Sequence, residues 1–243
     1  MIKFRNVSKS YGDKTVLDNL NFSIGSGEFF VIVGTSGSGK TTTLKMINRL
    51  IEPTSGDILV DGKPIKDYDL RDLRLSTGYV LQEGALFPNL TVYQNIEIIP
   101  EMKRWSKEKK RSTIAKYMDM VGLNPEIYLK RYPSELSGGE QQRVGILRAI
   151  VANPKILLMD ESFSALDPII RNQLQDLIKK IHDELRITTV FVTHVMDEAI
   201  KLADKICIMS KGEVVQIDSP QNIKDKPANE FVQRFFNEGA LYE

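Results

Sequence analysis

An α/β fold organised on a parallel sheet is what this sequence predicts, and three features predict it. Continuous apolar runs, EFFVIVG at 28–34, KILLMDE at 155–161 and TTVFVTH at 188–194, have the length and content of strands buried on both faces. Between the second and third lies IIRNQLQDLIKKIHDEL, with apolar residues at helical spacing. A glycine-rich loop follows the first run and opens onto another helical segment, so strand, loop and helix succeed one another.

The remaining elements follow in order. IKFRNVSKSY and LDNLNFSIGSG read as strands, the second with alternating apolar positions. KTTTLKMINRL places Leu44, Ile47 and Leu50 at helical spacing, and EPTSG stops it. GDILVDGKPI reads as a hairpin around Asp61 and Gly62, and STGYVLQEG as a brief strand. From about residue 84 to 150 the pattern turns helical, punctuated by Pro88, Pro100, Pro125 and Pro133, and KRWSKEKKR at 103–111 reads as a basic helix face. DKICIMSKGEVVQID closes as a hairpin at Lys211 and Gly212, and NEFVQRFF is a short amphipathic helix. There is no internal repeat and no low-complexity segment.

Composition narrows the function. With 243 residues, 42% hydrophobic and 27% charged, the chain has the balance of a globular protein and room for one core, or for a core with an inserted subdomain. Thirty-three Lys and Arg against thirty-two Asp and Glu leave a net charge of +1, and nothing in that balance points to nucleic acid as a partner. The single Cys207 has no second cysteine for a disulfide or metal site, which fits a reducing compartment. No window approaches the roughly 18 apolar residues of a membrane span, and the N-terminus lacks the pattern of a secretory leader. A soluble cytosolic chain is the expectation.

GTSGSGKT at 34–41 satisfies G-x-x-x-x-G-K-[ST] between a predicted strand and a predicted helix. Glycines let successive N–H groups converge on one anion, and the helix N-terminus adds partial positive charge. Lys40 is expected to reach the β- and γ-phosphates of ATP or GTP, and the Thr41 hydroxyl to ligate Mg2+. A flexible Gly/Ser turn is the plainer alternative, and the flanks argue against it. Asp160 and Glu161 end the ILLMDE strand, at the edge where ligands sit in open parallel sheets. Asp160 is assigned to the metal and Glu161 to the attacking water, the alternative being a solvated acidic helix start. His194 ends the next strand at the same edge, placed for a γ-phosphate contact and as a partner for Glu161, although a lone strand-end histidine is more often structural.

LSGGEQQR at 136–143 raises a further question. Locally it reads as a capping box, with Ser137 capping, Glu140 reaching back, and Val144, Leu147 and Val151 on the buried face. The glycine pair is left over. Each glycine inside a helix costs about 1 kcal/mol relative to alanine, so close approach to the backbone is expected there, with an anion as the candidate.

In combination, LSGGEQQR, the loop lysine, LLMDE, SALD and the downstream histidine resemble the ATP-binding cassette (ABC) ATPases over nearly the whole chain. The resemblance implies a P-loop (RecA-like) core, an N-terminal antiparallel β subdomain and an α-helical subdomain inserted at about 84–152. It implies one ATP-binding domain over 1–243 with no C-terminal regulatory domain. In that family two copies pair head to tail, and the serine-glycine motif of one closes over the nucleotide on the phosphate loop of the other, hence a homodimer with ATP and Mg2+. By the same resemblance Gly34, Ser36, Gly37, Ser38, Gly39, Lys40, Thr41 and Thr42 surround the nucleotide, and Tyr11 stacks on adenine, although a tyrosine in SYGDKT reads equally as surface. Gln82 touches magnesium, serves catalysis and senses the transporter subunit, or is a polar strand end. Asp167 in SALD crosses between the paired cassettes, and Ser137, Gly138 and Gly139 face the partner's γ-phosphate. Glu140 stands where glutamine is commonest, and Ser162 where proline is common; neither replaces a group assigned to chemistry.

A lone cassette resembles the ATPases of importers, which serve integral membrane permease subunits and, through them, a solute-binding protein. MDESFSALDPIIR and QEGALFPNLTV look most like the osmoprotectant importers for glycine betaine, choline, carnitine or proline. Leu86, Phe87, Pro88 and Leu90 are expected on a surface that meets a partner, or else within the subdomain's packing. The resemblance places the chain at the cytoplasmic face of the membrane. A soluble non-transport ABC ATPase, and an importer ATPase for amino acids or another small solute, are the other readings. A P-loop kinase or GTPase leaves LSGGEQQR unexplained.

Overall fold

A computed structural model describes residues 1–81, 85–164 and 166–238. In chain order its strands and helices are β1 (Ile2–Tyr11), β2 (Lys14–Ile24), β3 (Phe29–Gly34), α1 (Lys40–Ile47), β4 (Ser55–Val60), β5 (Lys63–Pro64), α2 (Leu70–Leu75), β6 (Thr77–Val80), α3 (Val92–Met102) and α4 (Lys107–Met120). There follow α5 (Pro125–Tyr128), α6 (Gly138–Ile150), β7 (Ile156–Asp160), α7 (Pro168–Leu185), β8 (Thr188–Val192), α8 (Met196–Leu202), β9 (Lys205–Ser210), β10 (Glu213–Asp218), α9 (Pro220–Asp225) and α10 (Glu230–Glu238). They form two compact units, Met1–Leu73 with Arg186–Glu243, and Arg74–Leu185. Among the described residues no helix is long and apolar enough to cross a membrane.

The first unit holds an antiparallel sheet in the order β2-β1-β4-β5. Asp61 and Gly62 both take positive φ, 49° and 79°, which is the turn a two-residue hairpin needs between β4 and β5. Phe4, Phe22 and Phe30 stack in series at 4.3 and 5.7 Å, so the apolar face of this sheet seats on β3. There β3 runs parallel to both β8 and β9, and β10 returns antiparallel to β9 through Lys211 and Gly212. With a neighbour on each side, β3 buries all six residues, which is why its sequence is continuously apolar.

In the second unit β6 pairs in parallel with β7, from Thr77 opposite Ile156 to Val80 opposite Met159. Helix α7 buries Leu174, Leu177, Ile178 and Ile181 at the spacing of one helical face. Two sequence expectations are corrected here. The basic run 103–111 is not one helix face: Arg104 takes φ 56°, and Ser106 caps a new helix by accepting the Lys109 N–H. Its charges are spent locally, with Lys109 over the Trp105 ring and Lys110 paired with Glu97 and Glu101. Pro100 lies inside α3 instead of ending it, and lacks the N–H that would bond the carbonyl four residues before it.

Helix α6 lies against β6 at Gly78, where an added Cβ would overlap the Ala149 carbonyl oxygen and press on Leu157. Gly78→Ala should therefore cost about 1–3 kcal/mol of stability, measured by urea unfolding.

Candidate functional site

The glycine loop is shaped from beneath. Gly34 ends β3 with φ 156°, and any side chain there would strike the Met209 carbonyl. Gly39 takes φ 95° against Leu17, so a side chain is excluded on steric and conformational grounds together. Gly37 also has positive φ, 73°, but nothing lies within 4 Å of where its Cβ would be, so its outer side is open. Lys40 is buried, and its Nζ donates to the carbonyls of Gly34 and Thr35, both at 2.9 Å. This holds the cation beneath the loop. Ser38 is 1% exposed, and its hydroxyl oxygen has no hydrogen-bond partner. Helix α1 starts at Gly39 with no side-chain cap, so the N–H groups of its first turn face outward without a protein acceptor supplied by the cap residue. An uncapped head, a buried lysine, an orphaned hydroxyl and the half-buried Thr41 and Thr42 together suit a triphosphate.

Two further expected residues belong to the same unit. His194 is half-buried in the turn between β8 and α8. The parallel register sets Val192 opposite Ile32, and Thr193 N–H donates to the Ile32 carbonyl, so His194 and the glycine loop share the carboxyl edge. That turn is fixed by Thr193, whose hydroxyl donates to the buried Glu198 at 2.6 Å and accepts from Val195 N–H. Tyr11 closes the β1–β2 hairpin opposite Lys14, is 50% exposed, and carries the Lys9 ammonium over its ring at 4.7 Å. An exposed ring face beside a hairpin anchored at Gly39 through Leu17 is suited to stacking on a planar base.

In the second unit Asp160 ends β7 nearly buried and accepts a hydrogen bond from Tyr79 Oη at 3.2 Å. Burial, with the Asp160 charge adding to it, pushes the Tyr79 phenol far above its ordinary range, so Tyr79 stays a donor. Glu161 follows with φ 44°, an uncommon conformation for a side-chain-bearing residue, and is half-buried. Among the described residues no group of three or more His, Cys, Asp or Glu is gathered to hold a metal. Asp160 offers a hard carboxylate donor of the kind magnesium takes from a protein, one or two alongside phosphate and water. Gln82 lies outside the described residues.

At α6 the capping box is present in full: Ser137 N–H donates to Glu140 Oε2 at 2.7 Å, and Ser137 Oγ accepts the Glu140 N–H. The glycine pair divides. An added Cβ at Gly139 would sit 2.7 Å from Ile170 Cγ2, so this glycine is required by the protein's own packing and not by an anion alone. At Gly138 nothing comes nearer than Leu166 at 4.0 Å, and the backbone is open. Ile170 lies in the first turn of α7, which Asp167 caps by accepting the N–H groups of Ile169 and Ile170. Ser137, Gly138, Gly139 and Asp167 are thus brought to neighbouring helix heads. Gln142, buried on α6, donates to the Ser162 carbonyl at 2.8 Å and ties this helix to the loop after Glu161.

The segment after Gln82 exposes Phe87 at 51% and Pro88, with Leu86 and Leu90 half-buried; Leu81 before it is 41% exposed. One residue missed by the sequence reading holds it. Asn95, fully buried on α3, accepts Phe87 N–H at 2.8 Å and donates to the carbonyls of Phe87, Leu90 and Thr91. An amide among the apolar residues of VYQNIEII was its only signal, and Gln94 beside it carries the same one.

Fold and site together define a P-loop nucleotide-binding protein: a parallel α/β core with a glycine loop, an antiparallel β sheet and a helical insertion. The sequence profile described as ABC transporter matches residues 17–164, and the chain belongs to that family. It is 49% identical over its whole length to the choline transport ATP-binding protein OpuBA of Bacillus subtilis, of which it covers 64%. It is 46% identical, over 99% of its length and 78% of the relative's, to the glycine betaine uptake system ATP-binding protein YehX of Escherichia coli. Among solved structures it resembles the dimeric, post-hydrolysis ATP-binding cassette MJ0796 bound to ADP and Pi, with TM-score 0.79, 35% identity and coverage of 90% and 98%. The chain thus spans somewhat under two thirds of the length of OpuBA.

Asn95→Ala should cost about 1–3 kcal/mol and raise amide hydrogen exchange selectively over residues 87–91, because several backbone groups lose one shared partner.

Proposed function

We propose that the chain is the ATP-binding and ATP-hydrolysing subunit of an importer, two copies closing head to tail on two ATP molecules to drive uptake of a small solute. The observation that carries this reading is a pair of unlike helix heads: α1 begins uncapped above a buried lysine, and α6 begins at Ser137 with the backbone of Gly138 open. One head of each kind per chain suits a two-fold arrangement in which each nucleotide is gripped by both copies. The relative's dimeric ADP and Pi structure supports it.

In this reading the loop from Gly34 to Thr42 binds the triphosphate, with Ser36, Gly37, Ser38 and Gly39 supplying its donors. Lys40 exchanges the Gly34 and Thr35 carbonyls for phosphate oxygens, and Tyr11 stacks on adenine. Thr41, Asp160 and Gln82 hold Mg2+, which neutralises charge on the β- and γ-phosphates when bound. Glu161 orients the attacking water and takes its proton as the new P–O bond forms and the bond to the ADP oxygen breaks. His194 holds the γ-phosphate, and Asp167 meets the partner copy.

The solute is an osmoprotectant bearing a quaternary ammonium group, such as glycine betaine, choline or carnitine; the names of the relatives support this class. The exposed Phe87 and Pro88, with Leu86 and Leu90 beside them in the chain, meet a permease subunit at the cytoplasmic face of the membrane, with a solute-binding protein engaged through that permease.

Lys40→Ala should weaken ATP binding by at least about tenfold in calorimetry, because it removes the buried cation; unchanged affinity contradicts its role. Glu161→Gln should keep ATP binding, slow turnover by about 100-fold or more, and accumulate an ATP-dependent dimer in size-exclusion chromatography. Near-normal hydrolysis in that variant rejects Glu161 as the base.

A further inference from the structure

The α6 head is not simply a donor surface waiting for phosphate. The Ser137 hydroxyl donates to Glu140 Oε2 at 2.8 Å, so the carboxylate already holds the proton that a γ-phosphate oxygen would need. Glu140 Oε1 is in turn engaged by Tyr128 Oη, the terminal residue of α5, at 2.5 Å. The Arg131 guanidinium covers the Tyr128 ring at 4.9 Å, and its charge also acts on Glu140. Two residues from α5 and the segment that follows it, Tyr128 by a hydrogen bond and Arg131 by its charge, therefore act on one carboxylate of the α6 capping box. The Tyr128 hydrogen bond is the largest influence keeping the Glu140 carboxyl below its ordinary range.

We propose that Tyr128 is a positioning residue for Ser137, acting through Glu140. Its hydroxyl turns and anchors the carboxylate so that Ser137 stays seated at the helix head yet is released to a nucleoside triphosphate arriving from a second copy. The physics is a competition for one hydroxyl hydrogen. A carboxylate that already accepts a short bond from a phenol is a poorer acceptor for its other donors, so Ser137 leaves it at lower cost. Without the phenol, Oε1 is unanchored and the carboxylate holds Ser137 more strongly. Its negative charge is also no longer tethered away from the incoming phosphates. Tyr128 touches neither substrate nor reacting atoms, and its influence reaches them only through Glu140.

The proposal rests on the reading that Ser137 serves a nucleotide held by another copy, and the test separates the two. Apparent KM for ATP in steady-state hydrolysis at fixed protein concentration reports ATP-driven pairing. Calorimetric ATP affinity without magnesium reports the glycine loop alone. Tyr128→Phe, which keeps the ring under Arg131, should raise KM by about fivefold with loop affinity and kcat within about twofold. In a Glu140→Gln background the carboxylate is replaced by an amide that bonds the phenol in the opposite sense, so the same Tyr128→Phe change should move KM by less than about twofold. An equal KM shift in both backgrounds, or none in either, overturns the brace, since simple packing by Tyr128 would be indifferent to the charge at 140. Ser137→Ala decides the underlying reading: if it leaves KM and kcat unchanged, the trans site falls and the brace with it. If Ser137→Ala is impaired and Tyr128→Phe is not, only the brace is lost.

Discussion

A helix begins with backbone N–H groups that have no acceptor inside the helix, and the heads of α1 and α6 meet this obligation in different ways. At α1 the cap residue does not meet it. Its N-cap is Gly39 in a left-handed conformation, which offers no side-chain oxygen, and the hydroxyl of Thr43 bonds back to the Gly39 carbonyl instead of capping the head. Everything around it favours an anion from outside: Lys40 beneath, Gly34 and Gly39 stripped of side chains by their neighbours, and a buried Ser38 hydroxyl with no protein partner. The fold around β3 can be understood as the support that keeps this curl of backbone in place without filling it.

At α6 the same obligation is partly met from within. Ser137 takes the N–H of Glu140, and Glu140 takes the N–H of Ser137, which leaves the N–H groups of Gly138 and Gly139 as those that the box does not cover. The helix head also carries its own carboxylate, favourably placed against the positive end of the helix dipole. In the proposed reading a phosphate would meet a head already occupied in part by a negative group, and the Ser137 hydroxyl would have to turn from carboxylate to phosphate. The two helix heads in this chain are unlike for this reason: one has a glycine cap with no side-chain oxygen, the other is partly satisfied by the chain's own carboxylate.

Much of this was legible in the sequence, and the boundary is physical. The buried strands β3, β7 and β8 announce themselves because burial on both faces demands continuous apolar residues. The glycine loop and the capping box are local, set by residues within eight positions of one another, so their geometry follows from spacing. Short elements such as α2, α8 and α9 were missed, since six or seven residues carry too little periodicity. The packing of Gly139 against Ile170 was not legible because Ile170 is distant in sequence, and close approach of a side chain and of an anion leave the same trace, a glycine. Asn95, Gln142 and Tyr128 were silent for a related reason: a buried amide or a phenol acquires its role from the backbone groups and carboxylate that folding places beside it.

Glu161 shows how such bonds fix an uncommon backbone conformation. A glutamate at φ 44° costs about 1–2 kcal/mol relative to a right-handed or extended residue, and such a conformation persists only where its surroundings fix it. Here they do so on the carboxyl side of the residue. Its carbonyl accepts from both Ser164 N–H and Ser164 Oγ, at 3.2 and 3.0 Å, and the next carbonyl, of Ser162, is held by Gln142 from α6. Ser162 Oγ reaches the Val80 carbonyl, so the serine that stands where the family commonly has proline replaces a rigid ring with a hydrogen bond to β6. The chain thus leaves Asp160 at a strand end, turns at Glu161, and is pinned again within two residues. The bend sets where the Glu161 carboxylate is aimed relative to that of Asp160, and these bonds hold it at a position where a glycine would have made it easily but without a carboxylate.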